Sequence, residues 1–262
     1  MTDRPDNLPA AAPSAAADEG NPQAFSLRGQ LGPVLWIAAA TLAVELGAYF
    51  LALGSTSRRD ALLLGLGACT VWVCLAAGPL AVGGRGALTA LLRGGAVADA
   101  SLLSLLVYWT LDASTDAPRL FTFVNVLQTY CTLAALAIFA VASVLAFSGP
   151  IARCAAATAS AVVLMLALTT PLWTGSALQA AREDQTRRQV VRAAVYVNPF
   201  YSVTSPLAPR TQFVWHQAQE MYRLTRIGDY AAPPPVPWYA SAFLYGCASA
   251  ILAASHLVRR KR

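Results

Sequence analysis

Charged side chains are scarce in this chain. Asp, Glu, Lys and Arg make up 12% of its 262 residues, about half the share that wets an ordinary soluble domain. That shortage excludes a soluble globular enzyme. The phosphate-loop pattern GxxxxGK[ST] is missing, so the chain does not bind and hydrolyse ATP by that route. Gly83-Gly84-Arg85-Gly86 is glycine-rich but lacks the lysine and hydroxyl that would complete such a loop. HExxH and GxSxG are missing as well, and no residue is assigned a catalytic role. The five cysteines, Cys69, Cys74, Cys131, Cys154 and Cys247, never fall in CxxC spacing or near a histidine cluster. They read as small apolar packing residues rather than metal ligands or disulfides, and no cofactor or metal is expected. No internal repeat is visible.

Apolar residues are what the chain has in abundance. They make up 56% of it, and the mean hydropathy is +0.51. They gather into blocks of about 20 with almost no charge, the length a helix needs to cross the hydrocarbon of a bilayer. Six blocks are legible: Pro33 to Leu53, Ala61 to Val82, Val97 to Leu111, Leu120 to Phe147, Ile151 to Trp173, and Trp238 to Val258. The expected fold is an all-α integral membrane protein with about six transmembrane helices, residues 31–262. Residues 1–30 read as a disordered cytoplasmic tail rich in Ala and Pro, with a possible interfacial helix at Ala24 to Leu31. Gly149-Pro150 separates the fourth and fifth blocks as a tight helical hairpin.

The net charge of +6 follows membrane logic rather than nucleic-acid binding, because its tightest cluster, Arg259 to Arg262, directly follows an apolar block. With both termini in the cytoplasm, the inner flanks carry Arg28, Arg85, Arg93, Arg153 and those four basic residues. The short outer loops carry Arg58, Arg59 and Arg119. The positive-inside rule favours this orientation, with Arg58 and Arg59 dissenting. Residues 174–237 then form a long external segment. It is expected to hold helices at about Ala177 to Val195 and Thr211 to Ile227, divided by the turn Asn198-Pro199-Phe200-Tyr201. Pro233 to Pro237 makes a stiff approach to Trp238 and Tyr239, which suit an interface.

Several blocks carry polar residues at helical spacing: Ser101, Ser104, Tyr108 and Asp112; Asn125, Gln128, Thr129 and Thr132; Ser241, Tyr245 and Ser249. Such faces point into a bundle or toward a partner, because polar groups facing lipid would be unsatisfied. They read either as ordinary interhelical hydrogen bonding, which is preferred, or as the lining of a substrate route. Glu45 is the only acid deep in a block, and a charge at mid-membrane costs about 2.5–3.5 kcal/mol on insertion scales. It is therefore expected to be protonated, paired or facing water. The candidate transport path comprises Glu45, Tyr108, Asn125, Gln128, Thr132 and Tyr245. His216 and Glu220 stand four apart, but a metal site needs three or four ligands and no third is evident. Glu183-Asp184 beside Arg187 and Arg188 reads as a solvated charge run.

This layout resembles the permease subunit of type-2 ABC transporters. Arg85-Gly86-Ala87-Leu88-Thr89-Ala90-Leu91-Leu92 falls where that family has a Gly-Thr-Leu-x-x-Leu-Leu cytoplasmic segment, although the acidic residue usual there is missing. Asn198-Pro199-Phe200-Tyr201 is similar to the Asn-Pro-Phe element after the fifth span. Ser143, Ser148 and Arg153 leading into Ala155 to Ser160, and the basic C-terminus, are also similar to the family. The resemblance implies an ABC exporter permease of the inner or cytoplasmic membrane, working as a homodimer or with a related permease, and a separate ATPase docked on its cytoplasmic side. It implies that Gly83 to Gly95 forms a coupling helix using Arg85, Leu88, Leu91, Leu92 and Arg93. The alternatives are a non-transporting membrane scaffold or assembly subunit, and a secondary transporter using Glu45 as a proton site; the lack of an inverted repeat counts against the latter.

Overall fold

The computed structural model describes residues 27–84, 86–114, 119–181, 183–207 and 236–260. The described residues fold into helices and short connections, with no strand among them. The helices are α1 (Leu27–Leu53), α2 (Arg58–Val82), α3 (Ala87–Ala113), α4 (Phe123–Leu145), α5 (Pro150–Leu168), α6 (Thr170–Ala180), α7 (Asp184–Val197), α8 (Pro199–Thr204) and α9 (Tyr239–Arg260). A 3-10 turn, Ser205–Leu207, follows α8. Among the described residues, α1 to α5 are long and apolar enough to cross a membrane. The large apolar side chains they expose, such as Trp36 at 78% and Leu51 at 79%, would drive aggregation in water. In a bilayer the same side chains are simply solvated by lipid, so the architecture is that of a multi-pass membrane protein.

Short polar caps set the helix starts. Ser57 accepts from the N–H of Asp60 at 3.2 Å and starts α2, and Thr122 does the same for Asn125 at 3.4 Å in α4. These bonds satisfy amides that have no intrahelical partner. Thr89 accepts from Gly86 N–H at 2.9 Å and fixes the start of α3. Gly149, at φ 90°, takes the left-handed turn that L side chains resist. Pro150 then opens α5, where its missing N–H costs nothing.

Because their connections are short, α1 to α5 run alternately up and down. Helix α2 is the centre of the bundle and packs against α1, α3, α4, α5 and α8. Helix α9 lies parallel to α4: the Thr132 hydroxyl reaches the Trp238 carbonyl, and one helical stretch further along the Phe139 ring meets Tyr245. One end of the bundle thus gathers Arg58, Asp112 and Thr122, while Leu168 and Tyr239 lie deeper, level with Gly67 and Thr132. The other end gathers Gln30, Gly83, Arg93 and Arg153.

Several expected boundaries are corrected. The expected coupling helix over 83–95 and the third span from Val97 are one continuous α3, joined to α2 only by Gly83 to Gly86. Gly94 does not break this helix because it is a packing position. A Cβ there would collide with Val141 and come within 2.9 Å of the Ala77 carbonyl, so the bare backbone lets α3 press onto α2 and α4. The expected fifth span ends early, at Leu168, and a new helix starts at Thr170. Pro171 in the first turn of α6 cannot donate to the preceding turn and clashes with it. Ala177 to Ala180 therefore belong to α6 and not to the outer helix, which is α7. At the other extreme α1 starts at Leu27 and runs through Pro33, so 27–31 is continuous with the first span. Thr211 to Ile227, with His216 and Glu220, lies outside the described residues.

Candidate functional site

The first cluster is built from α1, α2 and α3. Glu45 is completely buried. Its Oε1 lies 2.6 Å from Ser101 Oγ, and its backbone carbonyl accepts from the Tyr108 hydroxyl at 2.8 Å. The steps of three and four residues that put Ser101, Ser104 and Tyr108 on one face of α3 deliver all three to Glu45. Ser104 and the Cys69 thiol also face the carboxyl, and the thiol stands 3.8 Å from the Tyr108 oxygen. The Tyr108 ring stacks on Tyr49 with centroids 4.5 Å apart, and both rings pack over Gly65. Trp72 Nε1 donates to Thr41 Oγ1 at 3.0 Å, closing α2 onto α1.

At one end of this cluster Arg58 pairs with Asp112, whose carboxylate is nearly fully buried. The second carboxylate oxygen accepts from the backbone amides of Leu120 and Phe121 at 2.8 and 2.9 Å. One of the two basic residues that disagreed with the positive-inside count, Arg58, is thus committed to an ion pair. At the other end two arginines close the α2–α3 corner. Arg93 donates to the Gly83 carbonyl at 2.9 Å and to Gln30 at 3.0 Å, and Arg153 donates to the Gly84 carbonyl at 3.0 Å. Cations suit the carbonyls left open at a helix C-terminus.

The second cluster hangs α8 inside the bundle. Asn198 caps α8 by accepting from Phe200 N–H at 2.9 Å and donates to the Leu168 carbonyl at 2.8 Å. That bond satisfies a carbonyl released by the break between α5 and α6. Thr129 reaches the Val203 carbonyl at 3.3 Å, Ser241 bonds Ser202 at 2.9 Å, and Tyr245 donates to the Val197 carbonyl at 3.0 Å. The Phe200 ring lies over Gly67, nine residues into α2 and so about 14 Å from its start. Helices α6, α7 and α8 therefore make a re-entrant unit whose tip reaches the middle of the bundle.

The candidate path residues divide between these places. Glu45 and Tyr108 touch; Thr132 and Tyr245 lie on the α4–α9 interface; Asn125 sits in the first turn of α4, bonded to Thr122. Gln128 is half-buried. An apolar groove of about 660 Å³ over α4, between α5 and α9, is lined instead by Phe139, Phe147, Ala156, Val163 and Ile251 among others. Of the candidate coupling residues, Leu88 and Leu91 are 53% and 44% exposed and Leu92 is half-buried. Arg93 is turned inward, and Arg85 lies outside the described residues. The Arg58–Asp112 pairing was not read from sequence, and the two corner arginines were singled out there for other roles, Arg93 for coupling and Arg153 in the family resemblance. Their signal was present in opposite charges flanking adjacent helices at one end, and in arginines flanking glycine-rich turns.

Among the described residues, the class these features define is an all-helical, multi-pass membrane protein with a short helix, α8, packed into the bundle. No family model, curated protein or solved structure matches the chain.

Proposed function

We propose that this chain is the membrane-spanning permease subunit of an ABC exporter of the cytoplasmic membrane. The observation that carries the reading is the re-entrant unit α6–α8, entered through Asn198-Pro199-Phe200 and seated between α2 and α4. A helical segment returning into the bundle ahead of the last span is the arrangement that the resemblance to type-2 ABC permeases implies. In this reading α9, 22 residues long, is the sixth span. Both termini face the cytoplasm, as the inner excess of Lys and Arg favours, and α6–α8 belongs to the external side.

The polar side chains of the bundle are largely committed to bonds between helices, so the translocation path runs between two such subunits, identical or related. A separate ATPase docks at the cytoplasmic end of α3. There Leu88 and Leu91 offer an apolar contact, while Arg93 holds the corner rigid from within. ATP-driven closure of the ATPase pair is transmitted through α3 as a rigid-body movement. Because α3 is continuous, the first turns that receive the push and the Tyr108 that contacts α1 belong to one lever.

The test is purification of the tagged protein in mild detergent, followed by mass spectrometry and an ATPase assay. The reading requires a stoichiometric ATPase bearing a Walker phosphate loop, lost from Leu88→Asp/Leu91→Asp while the variant stays monodisperse. Recovery of other membrane proteins with no ATPase overturns it and leaves the scaffold.

A further inference from the structure

We infer that Glu45 is a resident proton-binding site: a neutral carboxylic acid whose hydroxyl donates to Ser101 and thereby latches α1 to α3. The inference is independent of the exporter reading and needs only that α1–α3 lie in a membrane.

The hydrogen-bond accounting carries it. A serine hydroxyl has one proton to give. Ser101 Oγ lies 2.9 Å from the Val97 carbonyl in its own helix, which can only accept, and 2.6 Å from Glu45 Oε1. If the Ser101 proton goes to Val97, the short contact to Glu45 needs a proton from the glutamic acid. Of the neighbouring donors, Tyr108 and Cys69 are committed elsewhere and Ser104 alone is not. Tyr108 gives its proton to the Glu45 backbone carbonyl, which leaves the phenol oxygen to accept from the Cys69 thiol. Ser104 Oγ faces the carboxyl without closing a hydrogen bond, and Glu45 Oε2 has no partner among the described residues.

An ionised carboxylate in this place would hold negative charge on one unbonded oxygen. Buried charge is tolerated when paired and fully hydrogen-bonded, and here it would be neither. The groups facing the carboxyl are Ser101 and Ser104 from α3 and Cys69 from α2. None carries positive charge. Arg58 and Asp112 lie farther along, toward Tyr49, and neutralise each other. As an acid, Glu45 supplies the one proton the cluster lacks: Glu45 O–H to Ser101 Oγ, Ser101 O–H to Val97 carbonyl. Its carbonyl oxygen can then remain unbonded at little cost. When the acid loses its proton, the carboxylate can keep Ser101 only by taking the hydroxyl proton that otherwise serves the Val97 carbonyl, so the two contacts can no longer both be made.

The test is infrared spectroscopy of the full chain in lipid nanodiscs, with carboxyl-¹³C glutamate to separate Glu from Asp. The expected result at neutral pH is the C=O stretch of a protonated acid, absent from Glu45→Gln. Ser101→Ala should keep this band and shift it, since the acid loses its acceptor. Loss of a carboxylate band and of no acid band in Glu45→Gln overturns the inference, and an unshifted band in Ser101→Ala overturns the latch. Should Glu45→Gln fail to fold, the isotope-labelled wild-type spectrum decides: lack of any glutamic-acid C=O band is equally fatal.

Discussion

One nitrogen of the Arg58 guanidinium, Nη2, donates to both the carboxylate and the backbone carbonyl of Asp112. The first residue of α2 is thereby fastened to the last turn of α3, and the other carboxylate oxygen holds the chain that leads into α4. Asp112→Ala would strip the Arg58 guanidinium of its carboxylate and leave two amides without their acceptor at once. Removing one partner of a buried ion pair costs on the order of 3 kcal/mol. Asp112→Ala is expected to lower the apparent melting temperature in detergent sharply, and more than Arg58→Ala, whose side chain is partly exposed. Equal small effects from both would show that the pair does not hold the end of the bundle.

Gly94 and Gly95 are neighbours with opposite surroundings. A Cβ on Gly94 would overlap Val141 and crowd the Ala77 carbonyl, whereas one on Gly95 meets nothing within 4 Å. Gly94→Ala should cost about 1–3 kcal/mol through overpacking. Gly95→Ala should be neutral or stabilising by up to about 1 kcal/mol through helix propensity. Unfolding of the two variants by graded denaturing detergent separates them, and the reverse order would contradict the packing of α3 described above.

These cases also show what could be read from the sequence. The apolar blocks located the first five helices, because hydrophobic length is a property of the sequence itself, but only α2 and α4 to within about three residues; α3 starts ten residues before its block and α1 six before. The polar spacing on α3 identified Ser101, Ser104, Tyr108 and Asp112 as one face, and that face is buried as interhelical bonding requires. The partner of Glu45 was not legible, since it depends on which helix α1 meets and at what height. Nor was the continuity of α3: two adjacent glycines look like an interruption until Val141 and Ala77 are seen against one of them. Pro171 carried the opposite lesson. It breaks the fifth block within an apolar run that hydropathy alone extends to Trp173.

Asn198 joins three pieces of chain: it caps α8, bonds the Leu168 carbonyl at the end of α5, and reaches Thr170 at 3.3 Å in α6. Asn198→Ala removes these contacts and leaves buried backbone groups unsatisfied, which costs about 1–3 kcal/mol for such a group. Hydrogen exchange should rise across Phe200–Leu207 while the α2–α3 corner stays protected. Asn198→Asp keeps the acceptor for Phe200 N–H but loses the donor to Leu168, so it should fall between Ala and wild type. Exchange unchanged in both variants would mean that Thr129, Ser241 and Tyr245 suffice to hold the re-entrant unit.

The positions of Ser55 and Ser148 make the orientation of the bundle testable. Ser55 lies in the α1–α2 connection at the Arg58 end, Ser148 in the α4–α5 connection at the Arg153 end, and both are exposed. The native background is favourable, because Cys69 and Cys74 are buried and can stay, while the exposed Cys131, Cys154 and Cys247 are replaced by alanine. With an impermeant maleimide on right-side-out membrane vesicles, Ser55→Cys should label at once. Ser148→Cys should label only after permeabilisation if the proposed orientation holds, in which the basic flanks of α3, α5 and α9 face the cytoplasm. The opposite pattern would invert the bundle and move Leu88 and Leu91 to the outside, removing any role for them in docking an ATPase. Labelling of both from one side would contradict the arrangement of the helices itself, since α2 and α3 lead from the Ser55 connection to the start of α4 and α4 alone spans from there to Ser148.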